Sequence, residues 1–344
     1  MESPVVYFKD LFSRGPANEA LKGGTTSRPA SALQIMIRKE IGDMVRSWRF
    51  IVLLILILLT FLASMYVSLS NLRTAASNAP DPNRFLVYLK MLTTSDGTLP
   101  SFHIFMSFLG AILGIGLGFD AVNVEQSSGT LIRLLAQPVY RDNFLLAKFI
   151  SPLMVITALF LSLGLMMIGA GMLITGVPVE AGEFLRIMTF ILLTILYVAF
   201  WLGLSIMLSV KFKQATTSAL SAIAIWLFFT IFYQIIVNLI VKACLPDPAF
   251  LSPAEVMDEN NLILNILRFS PSQLYTDATT VLLMPAIRSL GPLTMEQLAG
   301  AIPTPLSYRE SLLIAWPQLT GLLAGTVACF ALSYYLFMRR EIRT

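Results

Sequence analysis

Apolar residues in this chain come in long unbroken runs rather than in the narrow stripes of a water-soluble fold. Six runs, at 50–70, 102–119, 149–176, 187–210, 217–241 and 312–338, are close to or above the roughly 20 residues a helix needs to cross a ~30 Å hydrocarbon core. None has an Asp, Glu, Lys or Arg in its middle. Backbone N–H and C=O groups in hydrocarbon have no water to pair with, so each run predicts a helix that satisfies them internally. Alternation of period two is weak, which argues against a membrane barrel. The pattern predicts an all-α membrane protein with six transmembrane helices, occupying 50–344 of the chain.

The polar stretches between the runs have structure of their own. Residues 1–30 contain Gly15, Pro16, Gly23, Gly24 and Pro29 and read as a flexible N-terminus. They hold no early apolar segment of the signal-peptide kind, so the first span is expected to act as a retained signal-anchor. In 31–49, Leu33, Ile37, Ile41, Met44 and Trp48 recur at helical spacing, with Arg38, Lys39, Asp43 and Arg46 on other faces. This predicts an amphipathic interfacial helix, Glu40 included, with Trp48 at headgroup level. The segment 242–311 carries signals for two short helices. One opens at Ser252-Pro253-Ala254-Glu255, and the second is capped by Ser270-Pro271 with Leu274, Tyr275 and Ala278 following. Ser307 and Glu310 form a capping box ahead of the last span.

Composition agrees with this division. Charged residues make up 13% of the chain, about half the usual ~25% of soluble domains. The net charge of +4 follows from topology: most of the 24 Lys and Arg fall in 1–49, 120–148, 211–216 and 339–344, which lie on one side of a six-span layout. The positive-inside rule makes that side, with both chain ends, cytoplasmic. The expected location is a bacterial-type cytoplasmic membrane, and nucleic acid is not an expected partner.

Several chemistries have no support. No Gly-x-x-x-x-Gly-Lys-Ser/Thr run exists to cradle a nucleotide, so enzymatic ATP hydrolysis is not expected of this chain. The single histidine, His103, cannot build a zinc site and reads as an interfacial side chain. Spans without central charges disfavour an ion-coupled carrier. The 16 methionines suit packing better than metal transfer, and no metal site is expected. Gly110, Gly114 and Gly118, and Gly321 and Gly325, stand four apart and predict close helix–helix approach, within one subunit or across a dimer.

The loop 120–148 is the most informative stretch. Gly129 permits a bend, Thr130 through Ala136 suits a short helix with Leu131, Leu134 and Leu135 on one face, and Pro138 stops it. Arg141 and Lys148 then bracket the next span. The order Glu125, Gly129-Thr130, Leu134-Leu135, Pro138-Val139, Arg141, Lys148 resembles the ABC-2 type permeases, the membrane subunits of one class of ATP-binding-cassette transporters. Ser270-Pro271 with Leu274-Tyr275, and Lys39-Glu40 ahead of Arg46, resemble the same family, near the subgroup of nitrous oxide reductase maturation permeases. The resemblance implies a permease paired with a second permease subunit, same or different, and with a separate ATPase that binds ATP and magnesium. It makes 120–148 a coupling loop in which Glu125, Gly129, Thr130, Arg133, Leu134, Pro138, Arg141 and Lys148 meet the ATPase or brace the loop. It makes the outer helices a cover over the exit. Apolar spans suit export of a hydrophobic or amphipathic substrate. The alternative is a mechanotransmission or assembly subunit that carries no substrate.

Overall fold

The computed structural model describes residues 32–78, 86–94, 101–131, 140–244, 253–286 and 306–339. The readings made for 1–30, for Arg133, Leu134 and Pro138, and for the Ser252 cap lie outside the described residues.

Every regular element among the described residues is helical. In chain order they are α1 (Ala32–Val45), α2 (Trp48–Asn78), α3 (Val87–Thr93), α4 (Phe102–Gly118), α5 (Asn123–Ser127), α6 (Arg141–Thr175), α7 (Ala181–Lys211), α8 (Ala215–Leu227), a π-helical turn (Phe228–Phe232), α9 (Tyr233–Cys244), α10 (Pro253–Leu267), α11 (Pro271–Leu283) and α12 (Tyr308–Arg339). Six helical stretches are long and apolar enough to cross a membrane: α2, α4 with α5, α6, α7, α8 with α9, and α12. With six crossings, Ala32 and Arg339 belong to one end of the bundle, called here the terminal end.

The axis of the bundle is α7. In its apolar window 78% of residues are buried, against 17% for α8–α9, so the former is core and the latter periphery. Small residues bring α4 against α7. Gly110 faces Val198 and Tyr197, while Gly114 and Gly118 meet the α7 backbone at Val198 and Leu202. On α12, Gly325 lies against Phe200 of α7 and Gly321 against Leu274 of α11. All five glycines therefore make contacts inside this subunit.

Local chemistry sets the helix ends. The Ser307 N–H donates to the Glu310 carboxylate at 3.0 Å and the Glu310 N–H to Ser307 Oγ at 3.4 Å, a reciprocal capping box opening α12. Ser47 Oγ accepts the Phe50 N–H at 3.3 Å and starts α2. The chain breaks helix at Arg46-Ser47, so the expected single helix over 31–49 is two pieces: Trp48 is the first residue of α2 and 76% exposed. Gly176, at φ +68°, ends α6 in the left-handed region.

Two parts add what the sequence pattern does not carry. The α11 helix is packed into the bundle against α12, α7 and α4, with Leu274, Tyr275, Ala278, Val281 and Leu282 buried. Aromatic stacking holds it there: the Tyr275 and Tyr197 rings lie 4.4 Å apart, and the Tyr275 and Thr194 hydroxyls meet at 3.0 Å. The fifth span is also not one straight α-helix. Its π turn leaves the Phe229 carbonyl to accept from Ser270 Oγ at 3.0 Å, and Thr230 meets Ser272 at 2.9 Å. The turn thus fits the fifth span to the start of α11.

Candidate functional site

At the terminal end, α4 runs into a tight turn at Phe119-Asp120 and then α5. One hydroxyl of α7 seats this turn: Ser209 Oγ accepts the N–H groups of Val122 at 3.0 Å and Asn123 at 3.2 Å. After α5 the chain reverses at Gly129, whose φ of +71° favours glycine. Thr130 then folds back on α5, donating to the Glu125 carbonyl at 3.1 Å and to the Glu125 carboxylate. Leu131, 3% exposed, is held in an apolar cluster with Val122, Phe144, Leu145, Ile206 and Phe337. The start of the predicted coupling loop is thereby fixed both by polar and by apolar contacts.

The charged groups converge on Lys148. Its ammonium group lies 2.8 Å from Glu40 of α1 and 3.2 Å from Glu125 of α5. The three side chains are 11%, 18% and 17% exposed, so the joint is largely shielded from water. Lys148 also stands 5.6 Å from the centre of the Phe144 ring. A second contact in α1 supports the same docking, from Ser151 Oγ to the Ile37 carbonyl at 3.4 Å. Alongside, Arg49 of α2 pairs with Asp120 at 2.6 Å and covers the Phe119 ring. A cavity of about 190 Å³ opens between these pairs, lined by Glu40, Asp43, Arg49, Asp120, Glu125 and Lys148 among others.

This arrangement ties three pieces of chain distant in sequence into one unit. Four carboxylates against two cations leave the cavity wall net negative. Among the described residues no group of His, Cys, Asp or Glu is placed to hold a metal ion.

Of the residues singled out from sequence, Glu40, Glu125, Gly129, Thr130 and Lys148 come together here. Arg141 opens α6 as an exposed side chain. Arg38 and Arg46 are exposed on or just after α1, and Lys39 is exposed in a 4.0 Å pair with Asp43, a geometry worth little in water. Ser270, Pro271, Leu274 and Tyr275 belong to the core around α11, far along the chain from the ionic joint. His103, read as an interfacial side chain, is buried within the subunit near the start of α4: its Nδ1 lies 3.0 Å from Ser101 Oγ and 3.3 Å from the Leu92 carbonyl, joining α3 to α4.

Sequence reasoning missed a second polar centre at the opposite end. Arg186, one residue before the expected start of the fourth span, is 4% exposed. Its guanidinium donates to the carbonyls of Leu282 at 2.8 Å and Leu306 at 2.6 Å, and to Ser311 Oγ at 3.0 Å. One turn away, the Glu183 carboxylate accepts the Tyr88 N–H at 3.2 Å. The first two turns of α7 thus fasten α3 by an acid and the α11–α12 connection by a base. The available signal was opposite charges at i and i+3 abutting an apolar run.

Comparison with known proteins agrees with this architecture. Residues 34–342 match the model of the ABC-2 family transporter protein family. The chain is similar to the probable ABC transporter permease protein NosY of Pseudomonas aeruginosa, at 26% identity over 254 residues, 73% of this chain and 82% of the relative. It is also similar to the protein of the same name from Stutzerimonas stutzeri, at 25% identity over 250 residues, 72% of this chain and 82% of the relative. Six apolar crossings and a match over nearly the whole length make this a multi-pass membrane subunit of an ABC transporter, and the chain belongs to the ABC-2 family.

Proposed function

We propose that this chain is the permease of an ATP-driven exporter, energised by a separate ATPase that binds at the terminal end. In this reading the terminal end is cytoplasmic, in line with the clustering of Lys and Arg there. ATP and magnesium belong to the partner; the permease subunit pairs with a second one and has no catalytic chemistry of its own. The substrate class is hydrophobic or amphipathic, as the charge-free spans suggest.

The observation that carries the reading is the Glu40–Lys148–Glu125 joint. A force applied to α5 or to the loop after Gly129 reaches α1 and α6 through Lys148 without passing along the backbone. Rigid helices joined this way transmit displacement as bodies. Shielding from water strengthens the joint, because the three charges interact at lower effective dielectric than on an open surface.

The test is co-expression with an ABC ATPase encoded beside the permease, followed by co-purification and ATPase assay in lipid nanodiscs. The wild-type pair is expected to co-purify, with ATPase turnover that responds to the permease. Lys148→Met together with Glu40→Gln and Glu125→Gln should keep the fold and lose that response. An unchanged response in the triple variant, or no ATPase bound to the wild type, would overturn the proposal.

A further inference from the structure

The long apolar runs carry no central charge, but α11 brings a carboxylate to their depth. Tyr197 stands at the middle of the 31-residue α7. Its ring stacks on Tyr275 and its hydroxyl meets Ser272 Oγ at 3.2 Å, so α11 begins at the level of the bundle's centre. At the other end of α11, the Leu282 carbonyl reaches Arg186 near the start of α7. Asp277, midway along α11, therefore lies at a depth where hydrocarbon is expected outside the bundle. It is 8% exposed, and among the described residues no cation forms an ion pair with it. Arg268, whose charge acts on it from further off, is engaged by Asn265 Oδ1 at 2.7 Å. An ionisable group without a partner at such a depth is costly and marks a functional site.

The hydrogen bonds around Asp277 determine which group completes it. A carboxylate only accepts, so Gln273 presents its amide nitrogen, at 2.7 Å. The Gln273 oxygen is thereby turned to Gln234 of α9, which donates to it at 2.9 Å. Thr276 and Thr280, the other positions of α11 that are not buried, direct their hydroxyl hydrogens to the carbonyls of Ser272 at 2.9 Å and Thr276 at 2.7 Å. What this face then offers is mainly lone pairs: the second carboxylate oxygen, the Gln234 oxygen and two threonine oxygens. Among the described residues none of these four accepts a hydrogen bond. An acceptor-rich face around an unpaired carboxylate repels anions and matches a primary ammonium, which is positive and carries three donors. Beside it, Ile231 lies three residues before Gln234 on α9 and is exposed, an apolar surface for a hydrocarbon tail.

We propose that Asp277, with Gln234, Thr276 and Thr280, binds the ammonium headgroup of a cationic amphiphile whose tail lies along α9, and that Gln273 holds the carboxylate in place. The inference rests on the amphipathic substrate of the proposed function and names its class, a long-chain primary amine. It also accounts for a carboxylate kept at a position where an uncharged side chain would cost less to bury.

The experiment uses the full chain in phosphatidylcholine nanodiscs. Radiolabelled dodecylammonium is titrated at pH 7.5, and uptake by empty nanodiscs is subtracted. Saturable binding is expected, displaced by unlabelled dodecylammonium and not by dodecanoate or dodecanol. Asp277→Asn, which keeps the shape and removes the charge, should lower the affinity about tenfold, as for loss of a charge-assisted hydrogen bond. Thr276→Val, which removes one acceptor and leaves the carboxylate, should weaken binding several-fold. Uptake that does not exceed empty nanodiscs, equal displacement by dodecanoate or dodecanol, or an affinity unchanged in Asp277→Asn would overturn the inference. Amine binding by a chain with which no ATPase co-purifies would keep this site and sink the exporter reading. A coupled ATPase without amine binding would do the reverse.

Discussion

Lys148 on α6 and Glu40 on α1 meet at 2.8 Å although 108 positions separate them in the chain. Glu40 lies on the half-buried stripe of α1 shared by Met36, Ile37, Ile41 and Met44, so its carboxylate enters the helix contact instead of pointing to water. Lys148 answers it and takes Glu125 with its remaining donors. Removing the lysine alone leaves two carboxylates in a shielded space.

Lys148→Ala should therefore destabilise the protein by about 3 kcal/mol, in the range for breaking a buried ion pair. Lys148→Met combined with Glu40→Gln and Glu125→Gln should recover most of that loss, because no orphaned charge remains. Thermal unfolding in detergent measures both. A triple variant no more stable than Lys148→Ala would mean that packing, not charge, dominates the joint.

Gly114 sets the distance between α4 and α7. A Cβ there would stand 2.6 Å from the Val198 carbonyl oxygen and 2.9 Å from the Leu202 nitrogen, both backbone atoms that cannot rotate away. Gly114→Ala is expected to cost about 1–3 kcal/mol by forcing the helices apart. Gly169→Ala, with nothing within 4 Å, should be neutral or slightly stabilising. Melting temperatures of the two variants, prepared side by side, make the comparison.

Arg186 holds two carbonyls, one buried and one part-buried. Arg186→Leu removes this donor from both, at about 1–3 kcal/mol for the buried Leu282 oxygen and less for that of Leu306. The variant should melt earlier and be cut faster by protease between α11 and α12. Unaltered cleavage would show that α11 is retained by its apolar contacts alone.

Asp277 gives the protein a pH dependence of definite sign. Burial pushes its carboxyl up to about 6, against a hydrogen bond from Gln273 and the charge of Arg268 that favour ionisation. The folded state then holds a proton that the unfolded chain has released between roughly pH 4 and 6. Stability falls as pH rises through that window, and the full penalty, on the order of 3 kcal/mol, is present above it. Asp277→Asn should flatten this slope and raise the melting temperature at pH 7.5. A slope that survives the substitution would assign it to another group.

Much of this architecture is written locally. Long apolar runs without central charges dictate six helices, because backbone in hydrocarbon must pair with itself. Ser307 and Glu310 announce the start of α12, and Ser270-Pro271 that of α11, because capping involves residues only three apart. Gly129 marks its turn for the same local reason: a positive φ excludes most side chains. Which helices touch is not local. The burial of α11 in the core, the meeting of Glu40, Lys148 and Glu125, and the grip of Arg186 on two distant carbonyls join residues 23 to 120 positions apart. A polar residue beside an apolar run reads the same whether it faces water, lipid or another helix. Only the packed structure assigns its partner, because the cost of burying its charge or its amide depends on what stands within hydrogen-bond reach.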